Sequence, residues 1–400
     1  MQLDHLPGDV HLTYCTNIHA GETWKDIRAS LEAHVPAIKA AVAPDRRLGL
    51  GLRLSGVAAE QLIRPETMAE FRGFLDAHGL YVFTINAFPY GPFHGTRVKE
   101  DVYQPDWLQP ERLAFTNRVA EILAVLLPED CLGSISTVPG TFKPIGQRPG
   151  AAREMADNIA RHVATVVRIY QKTGREIVLA LEPEPCCFLE TVEETVSFFS
   201  EHLHTDASAA LVAEHAGLDA VQAHAALKRH VGVCYDICHG AVEFEEPQAA
   251  FAALARAGIR VAKLQLSSAL RVPEVSRGTE QMLAPFDDGV YLHQVVQNYR
   301  GVITRHVDLA PAFEVLRSGS AQGEWRVHCH VPIFLERAGP MCSTQATLKA
   351  ALSCVRESFI APHLEVETYT WDVLPTELRT SGRAEAIARE LDWVVRELGP

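Results

Sequence analysis

Short apolar runs alternate along this chain with longer segments of helical periodicity. The runs VHLTYCT (10–16), LGLGLRLS (48–55), LYVFTINAF (80–88) and LGSISTV (132–138) read as strands. So do EIVLALEPEP (176–185), HVGVCYDI (230–237), RVAKLQLSS (260–268) and HLEVETYTW (363–371). Most are continuous apolar stretches rather than strict alternations, the pattern of parallel strands covered on both faces. Between them, residues 23–42 carry Trp24, Ile27, Leu31, Val35 and Ile38 at helical spacing, and residues 65–79 open on proline and close on glycine. Residues 110–127, 152–174 and 383–398 read as helices in the same way. Eight strand–helix units without a natural break predict a (β/α)8 TIM barrel, with residues 1–400 as one domain. A doubly wound open sheet is the alternative, but no G-x-G-x-x-G follows any of these runs.

Two stretches depart from the repeat. About 95 residues separate the seventh and eighth runs, far more than one helix and two loops require. This insertion, 269–362, is expected to form a lid or an interface and contains a further strand-like run, WRVHCHVPIF (325–334). The stretch PYGPFHGTRVKEDVYQPDW (89–107) after the third run is long and rich in Gly, Pro and aromatics. Long loops after barrel strands lie at the carboxyl-terminal face, where such barrels place their sites.

Composition narrows the function. Apolar residues make up 47% and charged residues 22%, ordinary for a chain with a large core. The net charge of −13, unbroken by any Lys/Arg-rich run, disfavours nucleic acid and leaves a small-molecule substrate as the expected partner. No stretch approaches the roughly 18 apolar residues that span a bilayer, so no membrane insertion is expected. The start, MQLDHLPGDVH, lacks the basic and apolar regions of a signal peptide, and nine cysteines without a CxxC pair suit reduced thiols. A cytoplasmic location is the expectation, and a homo-oligomer is compatible with it.

The polar residues collect at the carboxyl ends of the strands. Glu182 and Glu184 end the fifth, and Asp236 and His239 the sixth. Arg53, Asn86 and Gln265 end the second, third and seventh, and Glu365 and Glu367 lie in the eighth. Residues i and i+2 of a strand share a face, so each Glu pair, and His328 with His330, has its members on one side. One acid at a strand end is ordinarily solvated or ion-paired. Carboxylates from several strand ends beside an imidazole are unstable together without a cation or protons. Oxygens mixed with imidazoles suit a divalent metal ion, and Mn, Mg, Zn, Co and Fe all remain open. No thiolate constellation points to a structural zinc site. His19 and Glu22 in NIHAGETW have a plainer reading as a helix entry, and His94 in FPYGPFHG as loop packing.

ALEPEP resembles the IEPKP signature on strand five of sugar isomerases, and YDICH resembles their Asp/Glu-x-x-His after strand six. The whole resembles the xylose isomerase-like TIM barrels: sugar isomerases, ketose epimerases, inosose dehydratases and AP endonucleases. Within them, LTYCTNIHAGETW, FTINAFPYGPFHG, WRVHCHVPIF and HLEVETYTWDVLP resemble distinctive stretches of the EboE "metabolite traffic protein" family, over residues 12 to 375. The resemblance implies a metal-dependent isomerase- or epimerase-type enzyme acting on a small polyhydroxylated or carbonyl metabolite, linked to metabolite biosynthesis or traffic. It implies Glu182, Asp236 and Glu367 as ligands of a divalent cation, Glu182 and Glu367 moving a proton, and His239 binding substrate or a second metal. Arg53, Asn86, Glu184, Gln265 and His328 are then substrate contacts, and Glu365 stays an alternative to Glu367. Epimerase relatives carry a metal-binding His on strand seven, where this chain has Gln265. Either His330 from the insertion takes that place, the favoured reading, or the metal is weakened or absent. A non-catalytic metabolite-binding or trafficking component on the same barrel is the second reading, and an AP-endonuclease-like hydrolase the third.

Overall fold

The computed structural model describes residues 1–95, 97–379 and 381–399. Eight parallel strands form the barrel: β1 (His11–Tyr14), β2 (Leu48–Arg53), β3 (Leu80–Asn86), β4 (Gly133–Thr137), β5 (Ile177–Leu181), β6 (Val231–Asp236), β7 (Arg260–Leu266) and, after the insertion, β14 (His363–Val366). They run β1-β14-β7-β6-β5-β4-β3-β2, and a parallel bridge between Cys15 and Gly51 brings the two edges together. Nearly every strand residue is buried, as the continuous apolar runs require.

Local chemistry sets the helix limits. Thr23 and Asp26 form a reciprocal capping box at the start of Trp24–Val42. Pro65 and Pro110 stand in the first turns of Pro65–Ala77 and Pro110–Leu126, where a missing N–H is harmless. Gly174, at φ 72°, ends Ala151–Thr173 in the left-handed region open to glycine. The strands are shorter than the apolar runs. Beyond Leu181, prolines 183 and 185 have no N–H to give a ladder, so Glu182 and Glu184 stand on a loop rather than on the strand.

The insertion supplies a separate antiparallel sheet: β8 (Leu270–Val272), β9 (Val295–Tyr299), β10 (Val302–His306), β11 (Glu324–Val327), β12 (Arg337–Ala338) and β13 (Met341–Ser343), ordered β10-β9-β11-β8-β13-β12. The run 325–334 thus becomes a strand only as far as Val327, and His328 and His330 follow it as irregular backbone. The loop 89–107 is tied to the insertion: the Val98 and Lys99 N–H groups donate to Val290 O at 2.8 and 3.0 Å. Lys99 Nζ pairs with Asp308 at 2.6 Å, and Tyr291 Oη donates to Phe93 O at 3.0 Å. On another side, Arg305 of β10 pairs with Glu243 and Glu190, which follow β6 and β5, at 2.5 and 3.2 Å.

The barrel interior is not wholly apolar. Lys263 of β7, completely buried, pairs with Glu365 of β14 at 2.5 Å and donates to Ser136 Oγ at 3.3 Å. Gly51 is required beside that pair, because a Cβ there would collide with the Glu365 carboxylate.

Candidate metal centre

The carboxyl ends of β5, β6 and β14 bring Glu182, Asp236 and Glu367 together, each with an oxygen within 4.8 Å of the others. All three side chains are buried. Asp236 caps the short helix Ile237–Val242, and its Oδ1 accepts from the His239 N–H at 3.0 Å and from Ser267 Oγ at 2.7 Å. Asp236 Oδ2 has no hydrogen-bond partner, and neither has Glu182 Oε2. Glu367 Oε1 accepts three amide N–H donors, from Asn17 at 2.8 Å, Asn86 at 3.2 Å and Gln265 at 3.2 Å. Gln265 therefore turns its nitrogen toward Glu367 and holds it in place.

Three imidazoles adjoin these oxygens. His239 Nε2 and His330 Nε2 each lie 3.8 Å from Asp236 Oδ2. His328 Nε2 lies 3.1 Å from His239 Nε2 and 3.3 Å from His330 Nε2. Cys238 adds a buried thiol within 4.8 Å of His328 and His330, although its spacing along the chain suggested no such cluster.

The remaining predicted residues divide by depth and position. Glu365 points into the barrel but meets Lys263, whereas Glu367 joins Glu182 and Asp236. Glu184 faces the cavity and accepts from Tyr103 Oη at 2.6 Å and Gln294 Nε2 at 3.1 Å. Asn86, Glu184, His239 and His328 line the cavity. Arg53 is buried with its guanidinium on Gly21 O, Gly91 O and Glu22 Oε2, away from the cavity lining. His19 bonds Tyr14 Oη at 3.0 Å and stacks on His34, so it serves packing.

Charge is the main energetic question here. Burial pushes the Glu182 carboxyl up to about 8, with His239 opposing and Asp236 adding to the rise. Burial and the charges of Glu182 and Asp236 also raise Glu367, although three amide donors favour its anion. Burial acts the same way on Asp236, but the His239 and His330 imidazoles, Ser267 and a backbone N–H outweigh it and hold that carboxyl low. Burial pushes His330 down to about 4, which leaves it a neutral imidazole near pH 7. Three carboxyls in a dry site with free oxygens, the neutral imidazoles of His328 and His330 beside them and one buried lysine a layer below suit a bound divalent cation. Against burial, Asp236, Glu184 and Glu182 hold the His239 imidazole above its ordinary range. The residues present fit that group.

The cavity above has a volume of about 60 Å³. Its strand-end residues are polar: Asn17, Asn86, Glu182, Glu184, His239 and Glu367. Loop 89–107 and the insertion contribute mainly apolar walls, with Phe93, Val98, Val102, Tyr291 and Leu292. Asn17, Tyr103, Gln294, Ser267 and Lys263 were missed from sequence. Lys263 alone had a signal, a cation inside an otherwise apolar strand run.

No protein-family model matches the chain, and no curated protein matches it. Among solved structures, it is similar to a xylose isomerase-like TIM barrel protein from Mycobacterium smegmatis in complex with magnesium. That likeness has 11% identity and a TM-score of 0.50, covering 98% of this chain and 96% of that one. It shows the fold: a xylose isomerase-like (β/α)8 barrel. The chain is also similar to L-ribulose 3-epimerase, at 10% identity and a TM-score of 0.45, over 97% of this chain and 94% of that one. A third likeness is to the IOLI protein with a binding zinc atom, at 12% identity and a TM-score of 0.45, over 97% and 98% of the two chains. Among the described residues of the barrel, no helix is long and apolar enough to cross a membrane.

Proposed function

We propose that this barrel is a metal-dependent isomerase or epimerase acting on a small carbonyl metabolite. The observation that carries the reading is the pair of unpartnered, buried carboxylate oxygens, Glu182 Oε2 and Asp236 Oδ2, beside Glu367 and His330. Glu182, Asp236, His330 and Glu367 would hold the cation. When bound, it would stabilise negative charge developing on a carbonyl oxygen of the substrate.

The chain's own groups supply the rest. Glu182 and Glu367 remove and return a proton at the carbon next to the carbonyl, a task suited to carboxyls raised toward neutrality by burial. Asn17, Asn86 and Gln265 fix the Glu367 oxygen that is not needed for transfer. His239 and Glu184 contact the polar end of the substrate, and the aromatic and aliphatic walls exclude water and favour a substrate with an apolar side. Gln265 acts through Glu367, and Arg53 through the loop carbonyls it holds. The insertion, 269–362, serves as a lid over the cavity. The metabolite belongs to biosynthesis or traffic, the setting that the EboE resemblance implies.

The test is proton exchange. The protein with added Mn²⁺ is incubated in D₂O with ketoses and cyclic polyhydroxy ketones, free and carrying apolar substituents, and the C–H signals are followed by NMR. Cation-dependent deuterium uptake, lost in Glu182→Gln, is expected. Tight retention of a compound with no exchange, with or without Mn²⁺, would replace this reading with the metabolite-binding one.

A further inference from the structure

Glu367 Oε1 takes three amide N–H groups, and two of the amides that give them are left with an oxygen to spare. Asn86 is satisfied at both ends, because its Oδ1 accepts the Phe88 N–H at 3.0 Å. Asn17 is not. It is 2% exposed, its Nδ2 lies 2.8 Å from Glu367 Oε1, and its Oδ1 has no hydrogen-bond partner. The Asn17 amide cannot be turned round. Asn86, fixed by Phe88, donates to the same Glu367 oxygen at 3.2 Å and so marks it as an acceptor, where a second amide oxygen would be repelled. Gln265 repeats the pattern, with Nε2 on Glu367 Oε1 and Oε1 unpartnered. Asn17 lines the cavity, however, and Gln265 is not part of that lining.

Water satisfies such an oxygen in an open site, and a ligand that displaces the water has to bring a donor of its own. Other polar groups of the lining already have acceptors. Tyr103 Oη donates to Glu184 at 2.6 Å, Tyr291 Oη to Phe93 O at 3.0 Å and Lys99 Nζ to Asp308 at 2.6 Å. The missing donor is therefore expected from the ligand. An ammonium group would lie near the cation of the carboxylate set and be repelled by it, which leaves a neutral hydroxyl.

We infer that Asn17 is a specificity-determining residue: its Oδ1 accepts a hydroxyl of the substrate, so that the barrel selects hydroxylated ketones over their deoxy counterparts. The side chain has two ends with two tasks, Nδ2 holding Glu367 and Oδ1 reading the ligand. A buried acceptor rejects a ligand that lacks the donor far more strongly than an apolar wall rejects a misfit. This role rests on the proposed function for the class of ligand and for the cation beside it.

Manganese-loaded protein is titrated by calorimetry with dihydroxyacetone and hydroxyacetone, which differ by one hydroxyl, and with erythrulose and its monodeoxy forms. The small cavity, about 60 Å³, sets the choice of small ketones. In the unsubstituted chain, loss of one hydroxyl is expected to weaken binding roughly 10–100-fold. That ratio is expected to vanish in Asn17→Leu, with Asn17→Ala as the second variant should the leucine chain not fold. Gln265→Leu removes an equivalent donor from Glu367 and is expected to keep the ratio. At saturating Mn²⁺ any change in metal affinity cancels, because parent and deoxy ligand are compared on the same chain. A ratio that survives in the Asn17 variant overturns the proposal. So does one that collapses equally in Gln265→Leu, since the effect would then pass through Glu367. Equal binding of every parent and deoxy pair, or binding of none, overturns it too. Deuterium uptake from D₂O without this discrimination keeps the isomerase reading and removes the role of Asn17. Discrimination without uptake does the opposite.

Discussion

Lys263 shows how one residue can support a site that it does not touch. It is fully buried, paired with Glu365, and its positive charge favours the anions of Glu182 and Glu367 above it. Lys263→Met would strand a buried carboxylate and should lower stability by about 3–5 kcal/mol in denaturant unfolding. Most of that loss should return in Lys263→Met with Glu365→Gln, because both charges then disappear together. A second prediction concerns Asn17, one of three amides on Glu367 Oε1. Asn17→Ala should weaken Mn²⁺ affinity roughly 10–100-fold while leaving the melting temperature of the metal-free chain almost unchanged. Unaltered affinity by equilibrium dialysis would mean that Glu367 needs no such support. Alternation alone does not separate Glu365 from Glu367, since it puts both inside the barrel and only depth distinguishes them, so the preference for Glu367 came from the family resemblance.

Among elements, the last helix, Arg383–Leu398, carries an internal test of pH dependence. Its Glu390 is buried and accepts from Thr368 Oγ1 at 2.7 Å and the Ile333 N–H at 3.1 Å, joining the exit of β14 to the insertion. Burial pushes this carboxyl from 4.5 up to about 7. Below 4.5 both folded and unfolded chains keep the proton, and the group's stability contribution is whole. Between 4.5 and 7 the unfolded chain releases it first, so stability falls as pH rises, and above 7 the loss is complete. Glu390→Gln should therefore stabilise the protein at pH 8 by on the order of 2–3 kcal/mol and hardly at all at pH 4.5. The opposite pH trend in urea melts would refute it. Loop 89–107 and the insertion form the other coupled pair, through Lys99–Asp308. Lys99→Met should speed proteolytic cleavage within 269–362 several-fold, and unchanged cleavage would mean the ion pair does not hold the roof.

At the scale of the whole molecule, the eight apolar runs were enough to predict the barrel, because parallel strands buried on both faces leave an unmistakable pattern. The insertion was visible only as excess length. Its antiparallel sheet is built from short strands, several half-exposed, with little periodicity to read. The carboxylates at strand ends were legible for the same reason as the barrel, since topology fixes where those ends meet. Asn17, Tyr103 and Gln294 reach the site from loops and the insertion, whose paths no periodicity encodes. The account as a whole depends on residues scattered from 182 to 367 sharing a cation. The most direct measurement is anomalous diffraction from crystals of the purified protein grown with Mn²⁺, collected at the manganese edge. It should show a peak within bonding distance of Glu182, Asp236, His330 and Glu367. Clear density for those four side chains with no peak between them would contradict it.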